Sequence, residues 1–214
     1  MKKINKILIG THNEGKYKEI SALLPKELKR ISPSKFGIQP PKETGKTFKE
    51  NSILKAKYFA FKSGLYSISD DSGLEVLALS NKPGIYSARW AKKLGGFKKA
   101  MKKIIYLLRN KKRREANFVC ALTLSSPDGK VIYSIKKLKG NISKTIKGSK
   151  GFGYDSIFIP KGKTKTFGEI TRKKKMKIDH RYLAYSDLKK KIKAFWIFYL
   201  LLCKYLSLVR FDFQ

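Results

Sequence analysis

The apolar run Ile7–Leu8–Ile9 precedes a polar THNEGK segment and predicts a short buried strand over residues 4–10. Ile20, Leu23 and Leu24 then recur at helical spacing, which predicts a helix over 13–24, starting near Asn13 and Glu14. A strand, a polar turn containing Gly15 and a helix open an α/β unit. Residues 25–41 are loop-rich, with room for one short strand. Ile53, Leu54, Ala56, Ala60 and Phe61 predict a second helix over 47–61, with Gly64 as its stop. LYSISDD (65–71) predicts a strand delivering two carboxylates at its end, and SGLEVLAL continues with alternating apolar residues.

A basic amphipathic helix is expected over 97–110, built on Met101, Ile104, Ile105, Leu107 and Leu108. ANFVCALTLSSPDGKVIYSIKKLKG predicts two strands joined by a turn at Pro127–Asp128–Gly129. GFGYDSIFIP predicts a Gly-rich turn entering a short apolar strand, and residues 182–202 a closing helix. No internal repeat and no long linker interrupts this order, so the fold class is α/β.

Charge changes the picture. The 214 residues carry 50 basic and 15 acidic side chains, a net +35. Only eight of the basic residues are Arg, whereas base-reading proteins lean on the bidentate Arg fork. Weak, salt-dependent polyanion binding is expected, and a basic nucleic-acid-binding protein is the competing function class. Runs such as Lys111–Arg114 and Lys173–Lys175 motivate that reading. Two cysteines, Cys120 and Cys203, make neither a disulfide framework nor a metal cluster, which fits a reducing, cytoplasmic setting. The N-terminal apolar stretch is too short for a signal peptide, and AFWIFYLLLC (194–203) too short for a bilayer span.

Four constellations carry chemistry. Thr11, His12, Asn13, Glu14, Gly15 and Lys16 lie where a strand meets a helix, a place where backbone N–H groups and an ammonium make a phosphate site. Thr11 and Asn13 also suit plain helix caps. Asp70–Asp71–Ser72–Gly73 holds two of seven Asp, and its carboxylates suit Mg²⁺ shared with substrate phosphates. In an extended strand they point to opposite faces, so one enters the site and the other orients it or bonds to the backbone. Phe152 in Gly151–Phe152–Gly153–Tyr154–Asp155 can stack on a base, between glycines that allow close approach. Lys175 precedes His180–Arg181, and His180 is one of only two histidines.

The succession THNEGK, ETGKTFKENSILKA, ISDDSGLEV, PGIYSAR, GFGYDSIF and ITRKKKMKIDHR resembles the inosine triphosphate pyrophosphatase family, from about Lys6 to Leu188. The resemblance implies hydrolysis of non-canonical purine nucleoside triphosphates (ITP, dITP, XTP) to monophosphate and pyrophosphate, with Mg²⁺, in a homodimer. It implies a mixed, elongated central sheet flanked by helices, in two lobes with the nucleotide cleft between them. Thr11, Asn13 and Lys16, with their neighbours His12, Glu14 and Gly15, then meet the triphosphate. Asp71 becomes proton acceptor and metal ligand, and Ser72 a substrate contact. Phe152, Gly153, Tyr154, Asp155, Lys175, His180 and Arg181 become nucleotide contacts. Glu43 and Glu50 share the matching acidic stretch, with Glu50 expected as a further acid or metal partner.

The chain departs from the family pattern at Ser156, where Pro is usual, and at Asp179, where Ser is usual. Asp179 is expected to pair with Lys177 or Arg181. AKKLGG after PGIYSARW replaces commonly acidic or polar positions. The pyrophosphatase domain is expected over 1–194, with 195–214 an additional hydrophobic tail, membrane-facing or partner-facing.

Overall fold

A computed structural model describes the backbone of residues 5–209 and the side chains of 5–194. The expectations for the aromatic tail's side chains lie outside the described residues. In chain order the elements are β1 (Lys6–Ile9), α1 (Glu14–Leu23), β2 (Lys29–Ile31), α2 (Phe48–Ser63), β3 (Ser67–Val76), β4 (Lys82–Pro83), α3 (Ser87–Lys93) and α4 (Phe97–Leu107). They continue as β5 (Glu115–Ser125), β6 (Val131–Ile142), β7 (Phe158–Pro160), α5 (Arg172–Lys175) and α6 (His180–Val209).

The sheet is mixed, ordered β2-β1-β3-β5-β6-β7, with β4 pairing off β3. Its first half is parallel (β2 to β1, β1 to β3) and its second half antiparallel. Parallel strands need a crossover, and α1 and α2 supply the two here. The β5–β6 hairpin closes at the expected turn: Ser126 N–H donates to Lys130 O at 3.0 Å, and Gly129 takes φ 83°.

β3 is longer than the strand expected over 65–71. It pairs with β5 at every position from Ser67↔Ser125 to Val76↔Ala116, so Asp70 and Asp71 sit in mid-strand rather than at its end. The unbroken ladder satisfies one polar edge of the SGLEV segment, and β4 meets the other at Glu75 and Val76, so the segment stays extended.

Two hydrophobic cores divide this strand. Ile68 packs with Ile7, Ile9, Ile20, Leu122 and Leu188 in one. Leu74 and Val76 pack with Met101, Ile104, Phe118, Phe158 and Phe167 in the other. The polar Ser69–Ser72 segment falls between them, which gives the two expected lobes and places the cleft at their junction.

Candidate active site

Consecutive residues of an extended strand point to opposite faces, and Asp70 and Asp71 do so here. Asp71 lines a cleft between the lobes. Its Oδ2 accepts the Asn51 amide at 3.1 Å and its Oδ1 lies 3.6 Å from Lys55 Nζ. Asn51 and Lys55 stand four residues apart on one face of α2, whose N-terminus Thr47 caps by accepting the Glu50 N–H at 3.1 Å. Burial raises the Asp71 carboxyl above its ordinary value of 3.8, outweighing the nearby Lys55 and Lys16 charges. Burial pulls Lys55 down, but Asp71, Asp70 and Glu43 outweigh it and keep the ammonium charged.

Asp70 turns away from the cleft and is 1% exposed. Its Oδ2 accepts Arg181 at 2.9 Å and lies 3.3 Å from Lys16 Nζ. Burial alone would raise this carboxyl, but Lys16, Arg181 and Lys55 hold it well below the usual carboxylate range. One acid is thus locked as an anion and its neighbour is pushed toward a useful basicity.

The opposite wall comes from the C-terminal third. Thr171 caps α5 by accepting the Lys174 N–H, and the short helix sets Lys175 in the interior. Lys175 Nζ donates to Glu19 at 2.8 Å and Asp155 at 2.7 Å, and sits 4.8 Å from the Phe152 ring centre. Arg181 pairs with the other oxygen of Glu19 and donates to Ser72 Oγ at 3.0 Å. Phe152 covers Gly15 so closely that a Cβ there would lie 2.6 Å from the ring. Gly15 is therefore needed for contact between the first loop and the aromatic loop. His180 stacks on Phe118 at 4.7 Å and 13° between planes. Burial, with Arg181 and Lys175 beside it, holds this imidazole well below 6.5 and so neutral.

The cleft brings together Asn13, Lys16, Asp71, Ser72, Phe152, Gly153, Tyr154, Asp155, Lys175, His180 and Arg181 of the expected set. Others serve nearby. Thr11 Oγ1 accepts the Asn13 N–H at 3.1 Å, and Asn13 caps α1 by accepting the Lys16 N–H at 3.0 Å. His12 Nε2 lies 3.0 Å from Ile38 O, and Glu14 is exposed and paired with Lys18. Tyr154 reaches across to donate to Ser87 O at 2.9 Å.

Glu50 is not brought to the cleft: it is exposed, and its Oε2 accepts the Lys46 N–H at the start of α2. Glu43 takes that place, lining the cleft and paired with Lys55. Asp179 forms no ion pair with Lys177 or Arg181 among the described residues. Its Oδ1 instead accepts the Tyr182 N–H at 2.7 Å, starting α6 two residues before the expected 182. Burial and the Glu19 carboxylate push Asp179 up to about 6, against the lowering pull of Arg181 and Lys175. Ser156 replaces a rigid proline with a bond of its own, donating to Gly148 O at 2.9 Å.

Asn51, Lys55, Glu19 and Phe118 were not anticipated. The i, i+4 pair Asn51/Lys55 and the position of Glu19 three residues after Lys16 were the available signals. Phe118 opens the apolar run 118–122 of β5 and carries none.

The Ham1 family model matches residues 7–191. The chain belongs to the Ham1 family. A Ham1 relative from Zymomonas mobilis, named dITP/XTP pyrophosphatase, is 41% identical over 187 residues, covering 86% of this chain and 90% of its own. Another of that name, from Haemophilus influenzae, is 42% identical over 192 residues, covering 87% and 98%. The Ham1 protein structure from Coxiella burnetii superposes with a TM-score of 0.80 at 31% identity, covering 88% of this chain and 98% of its own. That from Staphylococcus aureus gives 0.78 at 34%, with the same coverage. The mixed α/β sheet with flanking helices is the Ham1 fold.

Proposed function

We propose that this chain hydrolyses non-canonical purine nucleoside triphosphates (dITP, ITP or XTP) to the monophosphate and pyrophosphate. One observation carries the reading: a buried, raised-pKa Asp71, with Lys55 3.6 Å behind it, facing a cleft whose other walls hold Lys16, Lys175 and Arg181. The relatives' name, dITP/XTP pyrophosphatase, supports it. Water attacks the anhydride between the α- and β-phosphates, Asp71 takes its proton, and pyrophosphate leaves. A buried carboxyl with a raised pKa binds that proton more strongly than a free one, which makes it the better base. Lys16 and Lys175, which line the cleft, face the charge that grows on the leaving group.

The donor chemistry fits Mg²⁺: two carboxylates, Asp71 and Glu43, line one cleft, and carboxylate oxygens are hard ligands. Among the described residues no cluster of three His, Cys, Asp or Glu could hold a metal alone, so Asp71 and Glu43 would hold it together with substrate phosphates. When bound, the ion supplies charge neutralisation to the phosphoryl oxygens.

Base selection draws on the other end of the cleft. Arg181 Nε and His180 Nδ1 are buried without partners in two residues that line it. An N–H there suits a 6-oxo purine, whereas the 6-amino group of adenine would leave it unpaired. The proposal includes a homodimer, checked by sedimentation, and a catalytic unit within residues 1–194, checked by removing 195–214. Among the described residues no helix is long and apolar enough to cross a membrane. The direct test is turnover of dITP, XTP, dATP and dGTP by purified protein with and without chelator. Direct release of orthophosphate, or activity indifferent to chelator, would sink the reading.

A further inference from the structure

Away from the cleft, charge is segregated. Residues 76–114, which carry β4, α3 and α4, contain thirteen Lys or Arg and no Asp or Glu. α3 ends in Lys92 and Lys93, and α4 presents Lys98, Lys99, Lys102 and Lys103; all six are exposed. Among the described residues none of the six has an ion-pair partner. The ion pairs of this stretch belong to Arg89 and Arg113, outside α4. The helix cannot turn this face inward, because Ala100, Met101, Ile104 and Leu108 anchor its other side in a core. Beside the lysines stands Tyr106, 55% exposed, with Arg109 4.0 Å and Lys103 5.5 Å from its ring centre.

We propose that the outward face of α3 and α4 docks single-stranded nucleic acid, held by its phosphates without reading sequence. Fixed rows of ammonium groups match a polymer whose charges repeat, and each contact releases condensed counterions. Lysine is a point charge that meets phosphates, whereas base edges are read by the Arg fork, and the four cations of α4 are all Lys. Tyr106, under Arg109, offers an aromatic ring on which an unpaired base stacks. An anionic membrane fits less well. Interfacial helices insert Leu, Phe or Trp, and the apolar side chains of α4 are turned into the protein. Lys98, Lys99, Lys102 and Lys103 lie outside the cleft lining, so this role is separate from nucleotide turnover.

The test measures binding of a labelled oligo-dT of about twenty nucleotides to the full chain between about 50 and 200 mM salt. Charge reversal of Lys98, Lys99, Lys102 and Lys103 to Glu is expected to weaken binding at least about tenfold and to flatten the log–log salt slope by two to three, at about 0.7 per lost phosphate contact. Changing the same four to Gln gives the same direction should the reversed chain fold poorly. Tyr106→Ala is expected to cost about fivefold or more on the single strand and little on duplex DNA. Reversal of Lys161, Lys163 and Lys165, equally exposed but far along the chain, serves as the control and is expected to stay within about twofold. Equal losses from both sets would assign the binding to net charge and overturn the proposal. So would absence of binding at the lowest salt, or tighter capture by phosphatidylserine vesicles than by oligo-dT.

Discussion

The cleft and the α3–α4 face are both crowded with cations, yet they are built oppositely. Around the cleft, Lys16, Lys55, Lys175 and Arg181 each contact a carboxylate, at 3.3, 3.6 and 2.7 Å for Lys16, Lys55 and Lys175 respectively. Seven lysines and arginines from Lys92 to Arg109 contact none among the described residues. Burial explains the contrast. A desolvated charge must be paired and hydrogen-bonded, whereas a solvated one is tolerated alone at little cost. Net charge summed over the chain hides this division: the acids are concentrated where the chemistry is, and the surplus lies where water carries it.

The comparison predicts a steep gradient of effects. At the top, Lys175→Met leaves the Glu19 and Asp155 carboxylates buried without their shared ammonium. Urea unfolding should show a loss of about 3–5 kcal/mol. A loss below about 1 kcal/mol would mean that these buried charges are not coupled as described. Next, Asp71→Asn keeps the shape and the Asn51 contact while removing the base, and turnover of dITP should fall by at least about a hundredfold. A fully active Asp71→Asn enzyme would move the base elsewhere.

Asp179→Ser comes third. The folded-state value of about 6 exceeds the ordinary 3.8, so the fold prefers the neutral acid. The stability that this preference contributes is complete below about 3.8 and is lost as pH rises through about 6. Serine can still accept the Tyr182 N–H without burying a charge beside Glu19. The variant should therefore match the parent near pH 4 and be more stable by about 1–3 kcal/mol near pH 8, measured by denaturant titration at both. A gain independent of pH would assign the effect to packing. At the bottom, Lys98→Ala on the unpaired face should change unfolding free energy by no more than about 0.5 kcal/mol.

Much of this was legible from the sequence. Periodicity located the longer strands and helices because each carries an apolar stripe or alternation, as in Ile20–Leu24 and Met101–Leu108, but it gave no sign of the short β4, α3 and α5. The residues of the motifs converged because the family pattern orders them. What periodicity could not supply was partner choice among charged groups. Glu43 and Glu50 are indistinguishable as letters, and only the capping geometry at the start of α2 occupies one and frees the other. Asp179 next to Arg181 suggested an ion pair, but α6 begins there and its free N–H groups claimed the carboxylate first. Glu19 looked like an ordinary surface position of an amphipathic helix, although it is 3% exposed. Its burial depends on two cations more than 150 residues away, which no local window contains.

Those long-range contacts also set an order of events during synthesis. Glu19 and Asp70 are made first and are destined for the interior, yet Lys175 and Arg181, the charges that make burial tolerable, follow more than 100 residues later. Until they emerge, the first lobe holds carboxylates that must stay hydrated, and the strand bearing Asp71 cannot settle into its final surroundings. A fragment released before Arg181 would carry most of the sheet but a wet, open seam down its middle. Its cleft would close only once Arg181 had reached carboxylates made 111 and 162 residues earlier.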